Sequence, residues 1–229
     1  MIKAIFFDFN GVIIDDEPLQ MKAYREALAS QGITLTEENY YNLLGTDDVG
    51  FVRATFERAA LPLEDETLRA VIERKSELHR ELIKEELPLF PGVVTFIKAA
   101  ARVFPLGLVS MASRVEIDYA LERAGLDKLF GVIISAEDAP RYKPDPCCYE
   151  RAFDLRNEQR RAARQLPLLA QECLVIEDAP PGIQAARAAG MRTLGVTNTV
   201  PEQVLREARA DVVTMSLADW TTDAVHHVF

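Results

Sequence analysis

Cysteine is scarce in this chain of 229 residues: Cys147, Cys148 and Cys173 complete the set. An odd count without metal-type spacing argues against a disulfide framework and against a structural zinc site. Histidine is equally scarce, at His79 and the tail pair His226-His227, and the pair reads as an ordinary tail rather than a metal centre. No apolar run approaches the ~18 residues needed to cross a bilayer. Positive charge is in deficit, with 26 Lys and Arg against 36 Asp and Glu, a net charge of −10. That balance argues against nucleic acid or an anionic membrane as the main partner. It also requires any anionic ligand to be drawn in by local cations or a metal. Met1-Ile2-Lys3-Ala4 runs straight into the first apolar stretch, which leaves no room for a signal peptide. Together with the cysteine usage, this sets the expectation of a cytoplasmic protein without an evident obligate protein partner.

What is present is the composition of a globular protein, with 48% apolar and 27% charged residues. Five short apolar runs have the character of buried parallel strands: Ala4–Phe7, Leu106–Val109, Val132–Ile134, Leu174–Ile176 and Thr193–Val196, with a weaker sixth at Asp211–Val213. Helical patterns alternate with them at Pro91–Arg102, Val115–Ala124, Tyr149–Arg156 and Ile183–Ala189, and Gly125 and Gly190 stand where helix-ending glycines belong. This alternation predicts an α/β protein with a doubly wound, mostly parallel sheet. The interval between the first two strands is far longer than a crossover needs. It carries helical patterns at Leu19–Ser30, Glu37–Leu44, Val49–Ala60 and Glu64–Glu86, and Pro88 and Pro91-Gly92 mark the return. An inserted helical subdomain is expected there, placed to act as a lid over the first strand's end. The arginines at 156, 160, 161 and 164 are expected on a solvated helix face, with a phosphate-binding patch as the alternative.

Polar residues stand where the strands stop. The first strand ends at Asp8, in Asp8-Phe9-Asn10-Gly11-Val12; the second ends at Ser110, followed by Met111; the fourth ends at Glu177-Asp178; and Lys143 precedes it in Lys143-Pro144-Asp145. Ligands of open parallel sheets collect at the carboxyl ends of strands. Mg²⁺ prefers oxygen ligands and takes one or two carboxylates, which Asp8 and Asp178 can supply. A carboxylate can also attack phosphorus, while a lysine and a hydroxyl hold the phosphoryl oxygens. Each residue alone has an ordinary reading as a cap or a surface charge. In this order they describe metal-assisted phosphoryl transfer.

The set Asp8-x-Asn10-Gly11-Val12, Ser110, Lys143-Pro144 and Glu177-Asp178-x-x-x-Gly182-Ile183 resembles the haloacid dehalogenase superfamily of phosphatases. It looks most like the branch with a helical cap after strand one, which includes β-phosphoglucomutase and phosphoglycolate phosphatase. The stretches Asp15-Asp16-Glu17-Pro18-Leu19 and Leu87-Pro88-Leu89-Phe90-Pro91-Gly92-Val93 look like that branch too. The resemblance implies a core domain over residues 1–15 and 87–229 and a cap over 16–86. It implies Asp8 as nucleophile and metal ligand, Asp178 as a second ligand, and Glu177 as a third ligand or a partner of one. Ser110, Met111 and Lys143 would meet the phosphate, and the backbone carbonyl of Asn10 would meet the metal. In a mutase, Gly45 and Thr46, with Asp47 and Asp48, would contact substrate in the cap, an equal reading being a helix end and a new N-cap, and Arg74-Lys75 resemble a basic pair that mutases use near substrate, their other reading being a solvated helix face. The expected partner is a small phosphorylated metabolite, and the expected reaction its hydrolysis rather than dehalogenation.

One position departs from that pattern. The family's phosphatases usually carry a second Asp two residues after the nucleophile, as general acid and base. Here it is Asn10, whose amide exchanges no proton near neutrality. The expectations are therefore an engineered or weakly active hydrolase, a hydrolase of substrates with good leaving groups, or a binding protein without turnover. Gln20 stands where relatives often carry His, which lowers the expectation of a phosphosugar mutase.

Overall fold

The structure is a computed structural model that describes residues 1–229 except Leu44, Gly45 and Glu86, and the side chain of Glu85. The strands are β1 (Ala4–Phe7), β2 (Leu106–Val109), β3 (Phe130–Ile134), β4 (Cys173–Glu177), β5 (Arg192–Val196) and β6 (Val212–Thr214). They form one six-stranded sheet in the order β3-β2-β1-β4-β5-β6, with every pairing parallel. The protein has an α/β doubly wound architecture.

Alternation along β1 shows why the sheet is covered on both faces. Ile5 and Phe7 enter one buried cluster, with Phe96 and Ile97 of α5 (Val93–Ala100), Ile117 and Leu121 of α6 (Arg114–Ala124) and Val225 of α10 (Thr222–Val228). Ala4 and Phe6 enter the other, with Tyr149 and Ala152 of α7 (Cys147–Ala162) and Ala185 of α8 (Pro180–Ala188). Because both faces are dry, the strands read as continuous apolar runs. The last helix of this layer is the short α9 (Glu202–Glu207). Gly107 of β2 lies against the Phe6 ring, where a Cβ would come within 2.4 Å of it.

Between β1 and α5 lie α1 (Glu17–Ala29), α2 (Glu37–Tyr41), α3 (Asp48–Arg58) and α4 (Asp65–Glu85). They have a core of their own, including Tyr24, Leu28, Phe51, Phe56 and Val71.

One sequence expectation is corrected here. Arg156 is not on a solvated face. It is buried, its Nη2 donates to the Leu106 carbonyl at 2.6 Å, and its guanidinium covers Gly131 of β3. Glycine leaves the room that the guanidinium fills. Arg161 and Arg164 are exposed as expected.

Candidate active site

β1 lies between β2 and β4, so the chain turns outward in opposite directions on its two sides. The crevice beyond the carboxyl ends of these strands is where an open sheet binds ligands. Asp8 follows β1, Ser110 follows β2, Glu177 ends β4 and Asp178 follows it, so strand register alone brings all four to one place.

Lys143 ties them together. Its buried ammonium donates to Asp8 Oδ1 at 2.8 Å, Glu177 Oε1 at 2.6 Å and the Val109 carbonyl at 3.1 Å. The Tyr149 hydroxyl donates to the same Glu177 oxygen at 2.7 Å. Carboxylate oxygens of Asp8, Glu177 and Asp178 lie within 4.8 Å of one another. Burial and then the charge of Glu177 push the Asp8 carboxyl up to about 7, and the same two causes push Asp178 well above the carboxylate range. Burial works against the Lys143 charge, but Asp8 and Glu177 more than offset it and its pKa is raised. Three crowded carboxyls against one ammonium are short of positive charge.

Backbone fit is equally tight. A Cβ at Gly11, whose φ is +76°, would lie 2.0 Å from Asp178 Oδ2, and one at Gly182 would lie 1.9 Å from the Glu177 carboxyl. Both glycines leave space that acidic side chains occupy. Those donors are hard oxygens around a region deficient in cations, which fits Mg²⁺.

Asn10 is held by a neighbour that sequence reasoning named only as part of the cap entrance. Its Nδ2 donates to both oxygens of Asp16, at 2.9 and 3.1 Å. Asp16, fully buried, also accepts from Gln20 Nε2 at 3.0 Å and lies 2.8 Å from His79 Nε2. The Ser110 hydroxyl donates to Asn10 Oδ1 at 3.5 Å, a long contact, and accepts from the Ala112 N–H at 3.1 Å.

The helices before α5 close over this crevice. One cavity is lined from the sheet side by Asp8, Ser110, Met111 and Lys143, and from the helical side by Thr46 and Lys75 among others. Lys75 is buried, with Nζ 3.0 Å from Asp48 and 3.1 Å from Glu116. His79, one turn further along α4, lies 3.5 Å from Glu116. Glu116 belongs to α6, so Lys75 and His79 join the helices to the sheet layer. Arg123 of α6 adds hydrogen bonds to the carbonyls of Ile83 and Lys84, and the Tyr142 ring lies against Gly50 at the start of α3.

Of the two readings of Arg74-Lys75, Arg74 takes the solvated helix face and not the substrate contact. It is half exposed and pairs with Glu26 and Glu77, because it stands one residue away from Lys75 on the helix and faces outward. Gly45 lies outside the described residues. Glu17, His79 and Glu116 were missed as cavity or bridge residues. The i,i+4 spacing of Lys75 and His79 is a signal that they share a helix face. Glu116 gives none, because an acid in a helix's first turn is ordinary.

The fold and site define a doubly wound α/β protein with a carboxylate cluster at the floor of its crevice. The chain belongs to the haloacid dehalogenase-like hydrolases, whose family model matches residues 2–190. It is 29% identical to a phosphorylated carbohydrates phosphatase of Thermotoga maritima, over 91% of this chain and 92% of the relative. It is also 29% identical to Protein SUPPRESSOR OF QUENCHING 1, chloroplastic, of Arabidopsis thaliana, but 96% of this chain spans only 21% of that protein. Among solved structures, β-phosphoglucomutase of Clostridium difficile superposes with a TM-score of 0.84 at 22% identity, covering 100% of this chain and 97% of that one. A variant of CbbY from Rhodobacter sphaeroides with an Asp replaced by Asn, solved with xylulose-(1,5)bisphosphate, has a TM-score of 0.79 at 26% identity, with 96% of each chain covered.

Proposed function

We propose that this chain is a Mg²⁺-dependent phosphatase of a small phosphorylated carbohydrate, with residues 16–86 as a cap over the site. The observation that carries the proposal is the buried Lys143 held between Asp8 and Glu177, beside Asp178. Membership of a hydrolase family and the named activity of the T. maritima relative support it.

Asp8, Asp178, Glu177 and the Asn10 carbonyl would hold the ion, which supplies charge neutralisation between Asp8 and an incoming phosphate. Lys143 and Ser110 hold the phosphoryl oxygens. An Asp8 oxygen then attacks phosphorus as the bond to the alcohol breaks, leaving an aspartyl phosphate that water hydrolyses. The departing alkoxide needs a proton and the water must lose one. The Asn10 amide does neither, since a carboxamide neither releases nor takes up a proton near neutral pH, and its Nδ2 is already donating to Asp16. Slow turnover of ordinary esters follows.

The test is hydrolysis of p-nitrophenyl phosphate and a sugar-phosphate panel, with and without Mg²⁺, by this chain and by Asn10→Asp. A gain of about 10²- to 10⁴-fold is expected from the substitution. Inactivity of both forms across the panel would refute the phosphatase. The Asn10–Asp16 contact favours a second reading, a phosphometabolite-binding protein without turnover. That reading predicts Mg²⁺-dependent binding by calorimetry and no released phosphate.

A further inference from the structure

Lys143 carries three N–H donors, and all three are taken, by Asp8 Oδ1, the Val109 carbonyl and Glu177 Oε1. To hold a phosphoryl oxygen it must exchange one of them. The Val109 carbonyl is sheet backbone and stays where β2 puts it. Asp8 lines the crevice and is the group that turns to phosphorus. Glu177 decides the outcome. If it is free to turn, the ammonium follows it. If it is fixed, the ammonium stays, and the bond to Asp8 is the one exchanged.

Glu177 is fastened from several sides. Its Oε2 accepts from the Asp178 N–H at 3.2 Å, and Gly182 of α8 closes so tightly on the carboxyl that a Cβ there would lie 1.9 Å away. Its Oε1 accepts from the Tyr149 hydroxyl at 2.7 Å. With Lys143 on Oε1 as well, the carboxylate holds three donors of the roughly four it can take, and the open position is on Oε2. Tyr149 is fully buried, in the cluster that holds Phe6, Val175 and Ala185. Its ring lies beside the ammonium, with Lys143 Nζ 5.2 Å from the ring centre. One side chain thus touches both members of the Lys143–Glu177 pair. A phenylalanine would fill the same space and bury no hydroxyl, so the hydroxyl is the part that packing does not account for. Burial and then the charge of Glu177 push the phenol pKa well above its ordinary value, so it stays a donor.

We propose that Tyr149 is a positioning residue for phosphate capture: its hydroxyl pins Glu177, Glu177 anchors Lys143, and the anchored ammonium passes its third bond from Asp8 to the incoming phosphoryl oxygen. The proposal rests on the phosphatase reading, in which Lys143 holds the phosphoryl group. Tyr149 itself is sealed in the layer between α7 and the sheet, so it acts through Glu177 and touches no ligand. The exchange also releases the Asp8 oxygen from the ammonium at the moment a phosphorus atom comes within its reach. Without the hydroxyl, Glu177 keeps one backbone donor and swings with the ammonium, and Lys143 loses the fixed point from which it meets phosphate.

Tyr149→Phe tests this, because it keeps the ring beside Lys143 and removes the hydroxyl alone. Calorimetry with the full chain measures Mg²⁺ by itself and inorganic phosphate in saturating Mg²⁺. Phosphate is expected to bind about tenfold more weakly in Tyr149→Phe, and Mg²⁺ within about threefold of the parent chain. Glu177→Gln, which keeps the shape and removes the charge that anchors Lys143, is expected to weaken phosphate at least as much. A second readout adds Tyr149→Phe to Asn10→Asp: KM for p-nitrophenyl phosphate is expected to rise about tenfold while kcat changes less than about threefold, as for a contact made equally before and during the reaction. Phosphate affinity unchanged in Tyr149→Phe or in Glu177→Gln overturns the assignment and leaves the phosphatase reading intact. Equal losses of Mg²⁺ and phosphate, or a fall in kcat at constant KM, overturn it too, since the hydroxyl then supports the site as a whole or the chemical step. If Asn10→Asp hydrolyses no ester but phosphate binds and weakens as expected, the phosphatase reading falls and the positioning role stands. If phosphate binds to no form, both fall.

Discussion

At the scale of single residues, the site is governed by what its glycines leave open. Gly182 opens α8 at a point where any side chain would collide with the Glu177 carboxyl, and Glu177 in turn orients Lys143. Gly182→Ala is expected to displace Glu177, lower stability by about 1–3 kcal/mol and weaken phosphate binding, as read by urea titration and phosphate calorimetry. Unchanged phosphate affinity would contradict that linkage. The residues that meet at the crevice were legible in the sequence because each ends an apolar run or stands in an ordered motif. Asp16 was not legible as the partner of Asn10. An acid in Asp15-Asp16-Glu17 has no sequence mark that separates the buried member from its neighbours, and burial is what makes it matter.

At the scale of elements, α4 is bound to α6 by charge. His79 faces Asp16 and Glu116, with Lys75 one turn away on its own helix. Burial alone would lower the His79 pKa, but contacts with the two acids win and raise it from 6.5 to about 9. Burial likewise works against the Glu116 charge, and Lys75 and His79 overcome it, holding that carboxyl well below its usual range. A raised histidine stabilises the folded form fully below pH 6.5, and the contribution is lost as pH rises through about 9. Between pH 6 and 9.5 the chain is expected to lose on the order of 2–3 kcal/mol of unfolding free energy relative to His79→Gln. A flat difference between the two across that range would show that the histidine carries no such charge. The helices themselves were legible from periodicity, but the end of α7 was not. Its pattern fades at Arg156 because the residue that continues the buried face is a guanidinium rather than an aliphatic, and the helix continues to Ala162.

At the scale of the whole molecule, an excess of ten negative charges surrounds a crevice whose acids outnumber its lysines. Mg²⁺ at a hundred times its dissociation constant is expected to stabilise the folded chain by about 2.7 kcal/mol, a rise in Tm of about 5–10 °C for a protein of this size. Asp178→Asn is expected to lose most of that rise in thermal scans, and an equal rise in the variant would place the ion elsewhere. The sequence implied alternating strands and helices, and so a doubly wound sheet. It did not imply the order β3-β2-β1-β4-β5-β6, because strand neighbours are chosen by how crossovers pack, which no local pattern records. Tyr142 gives the two halves of the molecule a mechanical tie. Its ring rests on Gly50 of α3, and the next residue in the chain is Lys143. Displacing α3 would therefore act on the backbone beside Lys143, and a bulkier side chain at Gly50, whose Cβ would lie 3.0 Å from the Tyr142 ring, would press on that neighbour first.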